Sequence, residues 1–454
     1  MLFQPPQSES ARAIFSEEQQ LQAMLDFEAA LVRVETRIGI VPMEKAEAIA
    51  RFCSWRLFDR PALSKASALS GNIAIPMIKQ LCRLVKGGAP GSESYVHWGA
   101  TSQDVIDTGL VLQLRDMLRI TEDAIRNICA SLASLCREYA TTLMAGRTWL
   151  QHAVPITFGM KAAGALDAML RHADRLVELK GRILVLQFGG AAGTLASLGQ
   201  HGEEVARALA EELGLGLPAV SWHSHRDRVV EAASFYGLMM VTIGKIARDL
   251  SLLMQTEVAE VSEPQDDDKG GSSTMPQKRN PVAVASILAG AVRVPGLLST
   301  MLTAAMSQEH ERGVGGWQAE WSTLPDLCMT TQSALETLND VLKGLDVHPR
   351  AMQTNLDRSG GLIFAEAVSM ALAERIGKHE AHTLIQAITR TATAGYTDFK
   401  TALVNNPLVR KHLSEDEVDE LFNPKRYLGS ADSMIRTVLN AYETRVDLCP
   451  RDGR

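Results

Sequence analysis

An excess of cations is the first thing missing: 46 Lys and Arg stand against 53 Asp and Glu, a formal charge of −7. Phosphate backbones are gripped by basic surfaces, so nucleic acid is excluded as the main partner. Paired cysteines are missing as well. Cys53, Cys82, Cys129, Cys136, Cys328 and Cys449 are scattered with no Cys-x-x-Cys among them, so neither a zinc site nor a disulfide framework is expected. Aromatics are only 5% of residues, and short alternating runs separated by turns are absent, which argues against sandwiches and barrels. No run of about 18 uncharged apolar residues occurs, so no membrane span is expected. The stretch Met1–Ser10 is polar and carries Pro5 and Pro6, unlike a secretory signal. These absences leave a cytoplasmic globular protein with free thiols.

What is present is helix. From Ser102 to Tyr139 there is no proline and a single glycine, Gly109, while Val111, Leu114, Leu118, Ile125, Ile128 and Leu132 recur every three or four residues. That spacing predicts a helix far longer than the globular norm. Similar patterns run over Thr157–Gln187, Arg228–Val261 and Val282–Gln308, with Pro295 expected to bend the last. Helices this apolar need a bundle, and partner subunits, to cover every face. Shorter helices are expected at Ser16–Gly39, Ala62–Lys86, Leu362–Gly377, Lys378–Ala394 and Ser430–Arg445. The expectation is an all-α protein in three regions: an N-terminal helical domain (1–105), a central long-helix bundle (106–347) and a C-terminal helical domain (348–454).

The chemistry concentrates between the third and fourth long helices, in Lys269-Gly270-Gly271-Ser272-Ser273-Thr274-Met275-Pro276-Gln277-Lys278-Arg279-Asn280-Pro281. Glycines let such a loop move and prolines stiffen it, which suits a lid over a substrate. Lys278 can neutralise a carboxylate, Asn280 can hydrogen-bond one, and the Ser272 and Ser273 hydroxyls can move protons if neighbouring amides and Lys278 lower their pKa. Thr101 and Ser102 begin the longest helix, where unpaired amides and the macrodipole favour an anion. A plain N-cap role fits the same two residues.

The run Gly271–Pro281 resembles the signature loop of the fumarase/aspartase superfamily, G-S-S-x-M-P-x-K-x-N-P, at every fixed position. Tyr95–Asp104 and Gly146–Pro155 are similar to its two other shared regions, in the right order, and the likeness extends over roughly residues 15 to 445. The resemblance implies a fold whose central helices assemble into a tetrameric core, with three regions from three subunits meeting at each active site. It also implies a small polycarboxylate substrate and no metal or other cofactor.

One position separates branches of that superfamily. Where fumarases, argininosuccinate lyases and adenylosuccinate lyases carry a histidine after the threonine matching Thr148, this chain has Trp149. An indole cannot protonate a leaving group at neutral pH. A carboxylate leaving group needs no such help, since its acid has a pKa near 4. Lactone C–O chemistry therefore tolerates the change, and the stretch Gly146–His152 resembles the bacterial 3-carboxy-cis,cis-muconate cycloisomerases of aromatic (β-ketoadipate) catabolism. Trp222-His223, Arg226-Asp227-Arg228 and Gln308–Arg312 with the following Trp317-x-Ala-Glu-Trp321 resemble the same branch. Adenylosuccinate lyases bind a nucleotide phosphate at the positions of Trp317 and Trp321, which aromatics cannot do.

Carried over from that family, Ser272 transfers the proton, Lys278 and Asn280 stabilise an aci-carboxylate, and Thr101, Ser102, Thr148, Gln151 and Arg312 hold the remaining carboxylates. Ser273, Met275 and Trp149 are expected to line the site. Arg147 is read either as a substrate ligand or as a structural cation. His97 and His152 are alternates for acid–base work, and a neutral hydrogen-bonding role is equally open to both. Asp104, Asp107, Arg226, Asp227 and Glu257 are weighted toward structural ion pairs. His379 and His382 read as a solvated helix face, and His223 and His225 as part of a polar linker. The rival readings are an amine-eliminating lyase of the same superfamily and a non-enzymatic structural homologue. Whether the muconate carries a carboxy or a sulfo substituent is left open.

Overall fold

The computed structural model describes residues 8–264, 270–271, 274–275, 278–395 and 397–445. Five long helices dominate: Ser102–Glu138, Phe158–Ile183, Asp227–Leu253, Val282–Met306 and Gly316–Lys343. Three match the sequence patterns to within about a turn, and Asp227–Leu253 matches its pattern only at the start. The fifth, Gly316–Lys343, was not among the expected long helices and runs through Pro325. The C-terminal helix Lys378–Ala394 begins and ends where its pattern does.

The expected helix Ser16–Gly39 is observed at Glu17–Ile38. Its Ser16 side chain accepts from the Gln19 N–H, Glu17 and Glu18 occupy the positive first turn, and Gly39 closes the end. The expected single stretch Ala62–Lys86 is instead two helices, Arg60–Ser70 and Ala74–Gly88. Gly71 separates them with φ 75°, a left-handed conformation that stops a helix and costs glycine little. Asp227–Leu253 ends well before Val261, because the chain turns sharply there: the Glu260 N–H bonds back to the Leu253 carbonyl and Ala259 has φ 48°.

Contacts gather the chain into two compact units, each discontinuous in sequence. The first comprises Met1–Ala124, His172–Val241 and Ala289–Glu336. In it, helix Glu17–Ile38 buries Leu21, Leu25, Phe27 and Leu31 and packs on Met43–Phe52 and Gly202–Leu213. It also presses on helix Ser102–Glu138 at Gly109, where an added Cβ would lie 3.2 Å from Met24 Cγ and 3.4 Å from the Met24 backbone nitrogen. Fully burying a leucine or phenylalanine contributes about 1.5–3 kcal/mol, so this face orients the start of the longest helix.

The second unit comprises Ile125–Arg171, Thr242–Leu288 and Thr337–Arg454. It holds the feature that the sequence hid, an antiparallel hairpin of β1 (Leu143–Thr148) and β2 (Gln151–Thr157). Its inner face joins a small core of Ala145, Leu356, Ile363 and Phe364. A larger core of Val368, Leu372, Ile385, Ile388, Phe399, Leu403 and Val418 binds the C-terminal helices together.

Among the described residues, two helices are long and apolar enough to cross a membrane by length and composition, Asp227–Leu253 and Val282–Met306, where the sequence had suggested none. The second carries a single charge, Arg293, near its middle, so neither half is an uncharged run of that length. Its most apolar window is just 28% buried within the chain.

Candidate active site

The sequence candidates fall into two clusters, one in each unit. In the first unit, Thr101 precedes helix Ser102–Glu138 and donates its backbone N–H to Oδ2 of Asp104 at 3.0 Å, one arm of a capping box. The Thr101 hydroxyl accepts from Nη1 of Arg312 at 3.0 Å. Nη2 of Arg312 donates to the carbonyls of Ala191 (3.0 Å) and Gly190 (3.4 Å). These acceptors are neutral, and among the described residues no carboxylate forms an ion pair with Arg312. A guanidinium seated this way keeps its charge for an incoming anion and presents a planar fork to it.

His97 sits four residues before Thr101 with φ 61°, and its Nδ1 lies 2.6 Å from Oε1 of Glu28. Burial alone pulls the imidazole pKa down. The Glu28 carboxylate, through charge and hydrogen bond, with Asp104 behind it, holds the net value above the ordinary one. Nδ1 is thereby committed, leaving Nε2 as the ring nitrogen available for chemistry.

One turn along the same helix, Asp107 accepts from both terminal nitrogens of Arg226 (2.7 and 3.0 Å) and from the Trp317 indole N–H (3.0 Å). Glu320 takes the other edge of Arg226, and all three charged side chains are buried. Arg226 also lies over the Trp222 ring, 5.0 Å from its centroid. Trp317 and Trp321 meet edge to face at 5.0 Å and line a cavity of about 330 Å³ with Ile106, Leu110 and Arg60. The expected structural ion pair is thus observed for Asp107 and Arg226, whereas Asp227 and Glu257 are exposed.

In the second unit the hairpin carries Arg147, Thr148, Trp149, Gln151 and His152. Arg147 makes a bidentate pair with Glu260 at 2.9 and 2.7 Å, and Glu260 is fully buried and bonded also by Asn355. Of its two sequence readings, this geometry is that of a structural cation. Trp149 and Leu150 form the hairpin tip, with φ of 53° and 63°, and Trp149 is 97% exposed. Thr148 and Gln151 flank it, exposed as well. His152 stands opposite Arg147 in the ladder, and burial together with the Arg147 charge lowers its pKa.

Of the signature loop, Ser272 and Ser273 lie outside the described residues. Its base is closed by the Asn280 N–H bonding to the Gly270 carbonyl at 2.9 Å. Glu263 caps the following helix through the Ala283 and Val284 N–H groups at 3.2 and 2.8 Å. Met275 and Lys278 are exposed and Asn280 is half-buried.

Sequence reasoning missed four residues here: Glu28, His223, Glu260 and Glu263. His223 lies in the linker before helix Asp227–Leu253 as expected, but it is buried there, with Nε2 2.7 Å from Oδ1 of Asp104. Glu28 was detectable as a lone acid on the apolar face between Leu25 and Leu31. His225, His379 and His382 are exposed.

Known proteins resemble this chain over most of its length. The family model described as Lyase matches residues 6–296, and one described as Adenylosuccinate lyase C-terminus matches residues 361–438. A 3-carboxy-cis,cis-muconate cycloisomerase of Pseudomonas aeruginosa is 51% identical, over 94% of this chain and 93% of its own. One of Pseudomonas putida is 49% identical over 90% and 96%. The crystal structure of the 3-carboxy-cis,cis-muconate lactonizing enzyme from Pseudomonas putida superimposes with TM-score 0.91 at 47% identity, covering 96% of this chain and 98% of that one. This chain belongs to the fumarase/aspartase superfamily of lyases and, within it, to the family of the 3-carboxy-cis,cis-muconate cycloisomerases.

Proposed function

We propose that this enzyme converts 3-carboxy-cis,cis-muconate to its γ-lactone, 4-carboxymuconolactone. One substrate carboxylate oxygen attacks the conjugated double bond and forms the ring C–O bond. The displaced π electrons move toward the carbon α to a second carboxylate, giving an aci-carboxylate. A proton delivered to that α-carbon completes the lactone. The observation that carries this reading is Arg312, a guanidinium that among the described residues is held only by a hydroxyl and two carbonyls and so is left to receive a carboxylate.

Lys278 and Asn280 are the groups assigned to the aci-carboxylate, where stabilising developing charge matters most to rate. Ser272 is assigned the proton transfer by its place in the signature loop. His97 is the alternate, supported by its raised pKa and uncommitted Nε2. His152 is the weaker alternate, since a lowered pKa leaves it less able to donate. Trp149 in place of a histidine fits a leaving group that is already a stable anion in the reverse direction. The identity of the relatives favours this reaction over amine elimination.

The reading extends to a homotetramer whose sites combine residues of three subunits. It is supported by apolar surface that a single chain leaves uncovered: Trp149 at the hairpin tip, and Val292 and Met306 on helix Val282–Met306. Purified protein mixed with 3-carboxy-cis,cis-muconate, without metal or nucleotide, is expected to abolish the conjugated-diene absorbance. Unchanged absorbance, or fumarate released from an amino-succinyl substrate, refutes the assignment.

A further inference from the structure

The seat of Arg312 has two walls, and one buried carboxylate holds both. Asp104 is fully buried and accepts five N–H bonds. Oδ2 takes the backbone N–H of Thr101 (3.0 Å) and of Gly190 (2.9 Å). Oδ1 takes the Gly189 N–H (3.0 Å), Nε2 of Gln187 (3.2 Å) and Nε2 of His223 (2.7 Å). Thr101 supplies the hydroxyl, and Gly190 and Ala191 the carbonyls, that orient Arg312. The two walls are nearly 90 residues apart in sequence and meet through Asp104.

We infer that Asp104 and His223 are positioning residues for substrate binding, fixing the Thr101 loop and the Gly189–Ala191 loop so that the Arg312 fork faces a substrate carboxylate. His223 lies beneath the site, touching Asp104 and not Arg312. Its role is to hold Oδ1 so that Oδ2 stays aimed at Thr101 and Gly190. The Gln103 side chain, donating to the His223 carbonyl at 2.8 Å and to Asp107 at 3.0 Å, fixes the backbone of His223 in turn. A charge-assisted bond between buried groups is costly to remove because its partner is left unsatisfied. The inference rests on the assignment of Arg312 and Thr101 to substrate binding.

The test uses the full-length enzyme. It reads KM and kcat for 3-carboxy-cis,cis-muconate and the inhibition constant of tricarballylate, an unreactive tricarboxylate. Asp104→Asn keeps the shape but turns an N–H₂ toward N–H donors. KM and the tricarballylate constant are expected to rise together by about tenfold or more, with kcat falling less. His223→Leu is expected to follow Asp104→Asn, while His223→Gln, which keeps an N–H donor, stays within about threefold of the parent. Lower thermal stability with both constants unchanged in Asp104→Asn and His223→Leu overturns the inference. Should Asp104→Asn fail to fold, the His223 pair decides alone: Leu and Gln behaving alike overturns it, and Leu impaired with Gln near the parent upholds it. Arg312→Ala with an unchanged KM strikes instead at the binding assignment beneath.

Discussion

Nδ1 of His97 and Oε1 of Glu28 lie 2.6 Å apart, joining a left-handed loop residue to the buried face of helix Glu17–Ile38. Burial works against charge on this imidazole, but Glu28 and Asp104 outweigh it and hold the folded-state pKa above the ordinary value. A raised folded pKa stabilises the fold fully below the unfolded pKa, and that contribution is lost as pH rises through the folded one. Glu28→Gln removes the cause. The variant is therefore expected to lose most stability relative to the parent near pH 6 and least near pH 9. Thermal melts across that range, with the His97 ring followed by NMR titration, test it. A constant difference at all pH values contradicts the pairing.

Seven residues further along the same helix, Glu35 is fully buried, and among the described residues neither carboxylate oxygen has a partner. Burial, aided by the Glu28 charge, pushes its pKa up to about 9, so the side chain is a neutral acid at neutral pH. Its favourable contribution is present in full below the unfolded carboxylate range and is lost progressively as pH climbs toward about 9. Each tenfold change in proton affinity is worth roughly 1.4 kcal/mol, so the alkaline penalty amounts to several kcal/mol. Glu35→Gln cannot ionise. Denaturant midpoints at pH 6 and pH 9.5 are expected to converge for the variant and to differ for the parent.

Arg147 and Glu260 bear on whether a family site residue is a ligand or a strut. Removing the arginine leaves a buried carboxylate unpaired, which typically costs about 3–5 kcal/mol. Arg147→Ala is expected to lower the unfolding temperature sharply. The double variant Arg147→Met with Glu260→Met is expected to recover much of the loss, since a well-packed apolar pair of similar volume is often neutral. If instead the double variant is stable but its KM rises as far as that of the single one, Arg147 contacts substrate.

The contrast between these elements shows what a sequence reveals. Helix Ser102–Glu138 was legible because nothing breaks its period over ten turns, and Lys378–Ala394 because Gly377 and Gly395 bracket it. The signature loop was legible from its fixed residues. The hairpin was not, because its turn is Trp149-Leu150 where the usual signal is Asn-Gly. The partners of the site were not either: Glu260 is 113 residues from Arg147 and His223 is 119 from Asp104. Such pairs are set by tertiary packing, and no local pattern encodes them.

The hairpin tip yields the sharpest prediction about function. Two large L-residues hold positive φ between strands in register at Thr148 and Gln151, the geometry of a type I′ turn that asparagine and glycine favour. Each such residue is strained by about 1–2 kcal/mol. Strain of this kind persists where the site needs it. Trp149→Asn with Leu150→Gly relieves it and is expected to make the hairpin more stable while reducing turnover and weakening the proposed tetramer, because the exposed indole is what the tip offers to its surroundings. Trp149→His keeps a ring at the tip and adds a proton donor that lactone chemistry does not require, so it is expected to bring no gain in kcat. Sedimentation of both variants beside kinetic assay separates the two effects. A double variant that sediments like the parent and is fully active shows that the tip is dispensable, and a histidine variant that outpaces the parent shows that a stable leaving anion is not what allowed the indole.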